Sequence, residues 1–275
     1  MDMNQSFSFQ RFWTYFKYDL TQMWRNHSRA ALLIGGASAL LYAIWVMFSL
    51  VLGHGWTSPV IGARVAVFMV AFAILELYQV KIYGHLTEKR AGSTWLMIPA
   101  SRTEKFISML LIILIVIPVL FFAVYMLLDG FLSLVDPTYG KALIGSVGTT
   151  YTEFLNELAK LGEQTPFTLT PTMFIVSSIF SGITSFLYFN LCGVCFKRNK
   201  LVSAIAILFA VSMALSLLSG IILPRICANW PNYDITEEIA VRWINNAMYI
   251  GCTISVLMAI GLGWGIWHRI KTLQH

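Results

Sequence analysis

Residues Tyr83–Phe106 read YGHLTEKRAGSTWLMIPASRTEKF, and they decide how the rest of the chain is read. The stretch holds six charged residues around an apolar knot, Trp95-Leu96-Met97-Ile98-Pro99, and lies between two long hydrophobic runs. A helix entering at Tyr83 can continue through His85–Arg90 and stop near Gly92. Pro99 lacks a backbone N–H and pushes Ile98 toward extended geometry, so no helix passes through the knot. Ser101 followed by Glu104 forms a capping box, and a new helix starts there. Segment 84–104 is therefore an elbow between two helices. It offers charge at Glu88, Lys89 and Arg90 and an exposed apolar tip at Trp95, Leu96, Met97 and Ile98.

The flanks of the elbow set the fold class. Of 275 residues, 57% are hydrophobic and 12% charged, with a mean hydropathy of +0.71. The charged share is half the ~25% usual in soluble domains. Spanning a bilayer takes about 20 apolar helical residues. Six runs meet that length, at about 30–53, 60–83, 105–134, 171–195, 201–223 and 244–267. None alternates polar and apolar residues as barrel strands do, and helices are the form that satisfies the backbone inside lipid. The expected fold is an all-α polytopic membrane protein, one transmembrane domain over 1–275 with six spans. No repeat or low-complexity tract divides it.

The basic residues orient the spans. Fourteen of the nineteen Lys and Arg fall on one side, that of both termini and of elbow 84–104. Arg64, Lys141, Lys160, Arg225 and Arg242 fall on the other, and the acids divide five against eight in the opposite sense. Basic residues mark the cytoplasmic face, so both termini are expected in the cytoplasm. A net charge of +6, scattered rather than clustered, gives no reason to expect a nucleic-acid partner.

Outside the spans, residues 7–26 place Phe9, Phe12, Trp13, Phe16, Leu20, Met23 and Trp24 on one helical face. Arg11, Thr14, Lys17, Gln22 and Arg25 take the other. Bulky aromatics opposite basic residues predict an interfacial helix lying on the membrane. The first apolar run is too long for the core of a cleaved signal peptide, so no such leader is expected. On the outer side a short helix is predicted within 135–170, capped by Thr150 and Glu153 and stopped by Gly162. A second outer helix before span six would be capped by Asp234 or Thr236, with Glu237 and Glu238 in its first turn.

Chemistry-bearing motifs are sparse. No nucleotide-binding P-loop, zinc-protease helix or nucleophile elbow occurs, so no catalytic residue is assigned and the chain is not expected to be an enzyme by itself. The five histidines lie scattered, and Cys192-Gly-Val-Cys195 is a single pair without a partner His, so no metal site is assigned. Glu76 in span two, with Gln79 one turn on, is the intramembrane polar pair to which a substrate path could be assigned; a snorkelling or paired carboxylate is the plainer reading. Asp129, near the outer end of span three, is expected to reach water. The apolar tip has two readings, a Trp-anchored interfacial loop or a docking knob for a cytoplasmic protein.

The run Ile98-Pro99-Ala100-Ser101-Arg102-Thr103-Glu104-Lys105 resembles the L-P-x-S-R-x-E-K elbow of a bacterial branch of the type-2 ABC exporter permeases. The topology is similar too: cytoplasmic ends, an interfacial helix, six spans and a charged elbow between spans two and three. That resemblance implies a cytoplasmic-membrane subunit that docks a dimer of separate ABC ATPases, which would bind ATP and Mg. It implies a second copy of the chain, or a related permease, beside it. The coupling helix of such permeases would fall on Glu88, Lys89, Arg90, Trp95, Leu96 and Met97. Two other readings remain open on the residues: a membrane scaffold or immunity protein that binds partners without transport, and an ion-coupled carrier.

Overall fold

The computed structural model describes residues 7–88, 92, 95–146, 149, 171–228 and 237–272. These residues are 87% helical, with no strand among them. Five helices are long and apolar enough to cross a bilayer, and six spans result when one bent pair is counted as a single crossing.

That bent pair holds the first difference from expectation. The N-terminal helix does not end before the first span: α1 runs Phe9–Gly35 without a break, and α2 follows over Ala37–Val51. The two are bent by 44°, with the break at Gly36. The corner therefore lies about two turns inside the run read as span one. The aromatic face of α1 is also divided. Phe12, Tyr15, Asp19 and Met23 are buried against the bundle, whereas Phe9, Trp13 and Trp24 stay exposed on its flank. Helical spacing alone groups Phe9, Phe12, Trp13 and Trp24 together, but the neighbouring helices cover only part of that arc.

Helix α3 spans Ile61–Ile82 and ends in a 3-10 turn over Gly84–Thr87. After the elbow, α4 (Arg102–Leu111), a π-helical turn (Ile112–Val116) and α5 (Ile117–Val135) form one continuous rod. The π turn has a local cause: Pro118 has no N–H, and its ring crowds the preceding turn, so the regular ladder is interrupted just before it. A 3-10 turn, Pro137–Tyr139, closes the far end. Helix α6 covers Pro171–Cys195, α7 Lys200–Ala228 and α8 Glu237–Thr272. The outer helix expected before span six is thus no separate element; Glu237 begins a single helix that continues through the span. The other outer helix, at 150–162, lies outside the described residues.

The core joins α3, the α4–α5 rod and α6. Leu75, Met109, Ile112, Ile113, Phe121, Tyr125 and Phe186 are buried in it, and Phe68 and Phe72 pack their rings on Phe121, Phe122 and Tyr125. α3 and α6 approach closely at one glycine. A Cβ on Gly193 would lie 2.5 Å from the backbone oxygen of Val80, so only glycine fits there. α7 behaves differently. Ala204 is buried and its carbonyl accepts from Tyr188 Oη, but residues 205–221 are all exposed.

Candidate functional site

The elbow is built on the capping box read from the sequence. Ser101 Oγ accepts from the Glu104 amide, and the Glu104 carboxylate accepts from the Ser101 amide at 2.9 Å. The same carboxylate also reaches α1. It accepts from the Ser8 amide at 2.8 Å and from Arg11 Nε and Nη2 at 2.7 Å each. Fork-to-carboxylate geometry of this kind is the strongest form of side-chain hydrogen bond. Glu104 therefore starts α4 and clasps the N-terminal helix to it in one constellation.

Trp95 is the main correction at the site. It was expected at an exposed tip, yet it is only 8% exposed. Its indole N–H donates to Tyr15 Oη of α1 at 3.0 Å. Lys105 Nζ stands 4.6 Å from the ring centroid and donates to the Trp95 carbonyl at 2.7 Å. A large ring whose N–H needs a partner is better satisfied under α1 than at a free tip. The exposed tip shrinks to Leu96 and Met97, with Met97 83% exposed and Ile98 half-buried. Glu88 is exposed, and Lys89 and Arg90 lie outside the described residues.

A second turn joins the elbow. Lys200 Nζ donates to the Gly84 carbonyl, and Thr87 Oγ1 reaches the Phe196 carbonyl at 3.4 Å. The α6–α7 connection, tightened by Asn199 in the left-handed conformation, thereby packs on the elbow with Lys197 and Arg198 exposed. Glu88, Lys81, Lys197 and Lys200 line one shared cleft there.

The two members of the intramembrane pair differ in their surroundings. Glu76 is half-buried, with Ser185 of α6 nearby. Gln79, one turn on, is 0% exposed, and neither of its amide atoms finds a partner; Asn190 of α6 is in the same state.

Asp129 does not reach water. It is 1% exposed and paired at 2.8 Å with Arg64, itself 2% exposed. Arg64 donates through Nε and Nη2 to the carboxylate, and through Nη1 to the carbonyls of Tyr139 and Lys141. Tyr139 Oη and the Leu143 amide complete the shell of Asp129. The signal was present: Arg64 lies inside an apolar run, where a charge needs a partner. Nearby, Asp136 collects Tyr42 Oη, Trp56 Nε1, Ser58 Oγ and both the amide and hydroxyl of Thr138. The Thr138 hydrogen bonds, with those from Ser58, Tyr42 and Trp56, hold its carboxyl well below the usual carboxylate range. Both clusters brace the end of the bundle opposite the elbow.

No family model, curated protein or solved structure matches the chain.

Proposed function

We propose that this chain is the membrane-spanning permease subunit of an ATP-driven exporter, and that its elbow is the surface on which a separate ATPase dimer docks. The observation that carries the proposal is the bracing of the elbow. Glu104, Trp95 and Lys105 fasten it to α1, and Lys200 fastens it to the α6–α7 turn. A partner pressing on Met97 and Glu88 would move α1, α3, α4 and α7 together, as a coupling element must. The orientation that goes with it puts the elbow and both termini in the cytoplasm of a bacterium, the chain being multi-pass in the inner membrane. ATP and Mg belong to the partner; the chain itself hydrolyses nothing. The uncovered length of α7 favours a second copy of the chain, or a related permease, packed along it within the bilayer.

The test is co-expression with the ATPase encoded beside the chain. The two should co-purify, and ATPase turnover should respond to the permease. Met97→Asp and Glu88→Arg, both at exposed positions, should weaken association roughly tenfold without unfolding the chain. An ATPase that purifies alone, with turnover indifferent to the permease, would sink the proposal.

A further inference from the structure

Helix α1 carries a carboxylate that the elbow does not use. Asp19 falls on the buried face of α1 with Tyr15 and Met23, and its Oδ2 accepts from Tyr83 Oη at 2.9 Å and Ser108 Oγ at 2.7 Å. Both donors are neutral, and among the described residues no hydrogen bond reaches Oδ1. Oδ1 is not among the atoms sealed from solvent without a partner, so it keeps an opening. That opening is a cleft of about 270 Å³ between α1, the end of α3 and the elbow.

The lining of the cleft is unusual for its position. The elbow end holds most of the chain's Lys and Arg, yet neither residue type is among the described residues lining this cleft. Its aromatic walls include Tyr15, Tyr83 and Trp95, and Asp19, Gln22 and His85 bring acceptor atoms to it. Gln22 brings an amide oxygen, one lone pair of which accepts from Arg25 Nη2 at 3.3 Å. His85 holds its Nδ1 proton on the Ile82 carbonyl at 2.9 Å, which leaves Nε2 as an acceptor. An aromatic-walled cleft with one open carboxylate oxygen, and with no Lys or Arg among its described lining residues, attracts positive charge and repels anions.

We propose that the Asp19 cleft binds a primary ammonium group, carried by a soluble amine or by an aminophospholipid headgroup at the membrane surface. A primary ammonium has three N–H donors, which match Asp19 Oδ1, His85 Nε2 and the Gln22 amide oxygen. A quaternary ammonium has none. The cleft admits a small amine and the end of a headgroup, and the site works whether or not an ATPase docks on the elbow.

The test uses the full chain in nanodiscs. Ethylammonium chloride is titrated into phosphatidylcholine discs, with tryptophan emission as the readout because Trp95 lines the cleft; sodium acetate and tetramethylammonium chloride are the controls. A saturable response to ethylammonium alone is expected, weakened roughly tenfold or more by Asp19→Asn. Gln22→Lys, at the half-exposed rim, should weaken it as much by supplying a tethered ammonium, and carries the test if Asp19→Asn fails to fold. If ethylammonium is silent but native mass spectrometry shows phosphatidylethanolamine retained over phosphatidylcholine, and lost in either variant, the ligand is the headgroup. Absence of both signals, or variants that bind like wild type, overturns the proposal.

Discussion

Removing Arg64 tests the packing of the far end of the bundle. Arg64→Met deletes the positive charge and three of the five hydrogen bonds that reach Asp129, leaving only Tyr139 Oη and the Leu143 amide. It also strips a donor from the carbonyls of Tyr139 and Lys141. Breaking a buried pair by deleting one partner costs about 3–5 kcal/mol, because the remaining charge stays out of water. For a chain of this length that corresponds to a fall of roughly 10 °C in the unfolding midpoint. The stronger test is the sign of the double change. Adding Asp129→Asn to Arg64→Met replaces an orphaned carboxylate by a neutral amide of the same shape, so the double variant should be more stable than Arg64→Met alone by about 1–3 kcal/mol. Thermal unfolding of wild type, both single variants and the double variant in one detergent measures all four corners. Single losses that simply add would refute the account, since two groups that add are not paired.

Three further outcomes follow from the same structure. Gly193→Ala puts a methyl against the Val80 backbone and should cost about 1–3 kcal/mol in thermal unfolding, whereas Gly265→Ala, whose Cβ would meet only the Leu191 methyls at 3.5 and 3.6 Å, should be nearly silent; equal effects would contradict the close approach of α3 and α6. Asp136 has a folded pKa below its unfolded value, so its contribution is present above the ordinary carboxylate range and is lost as pH falls through the folded value. Amide exchange over 136–143, corrected for its intrinsic pH dependence, should accordingly lose protection in strong acid, and Asp136→Asn should exchange at neutral pH as wild type does in acid. Glu104→Gln keeps an oxygen for the capping box but removes the charge that holds Arg11. Amide exchange in residues 9–20 should therefore quicken while α4 keeps its protection, and Glu104→Ala should loosen both.

The helical apolar runs and the Ser101–Glu104 helix start could be read from the chain because each rests on local facts. Twenty apolar residues exclude water wherever they are placed, and a capping box needs only residues three apart. Those readings hold because no distant part of the molecule has a say in them. The bend at Gly36 and the merging of 237–272 into one helix could not be read, since composition marks where a helix can end and packing decides whether it does. Trp95 shows the same division at the candidate site. Its neighbours in sequence make it a tip, but Tyr15, eighty residues earlier, supplies the hydrogen-bond partner that draws it under α1. Arg11 with Glu104, Arg64 with Asp129, and Asp19 with Tyr83 and Ser108 are joined across 64 to 93 residues. A charge in an apolar or half-apolar helix announces that it needs a partner. Only the folded chain, where desolvation makes each pairing obligatory, decides which residue that partner is.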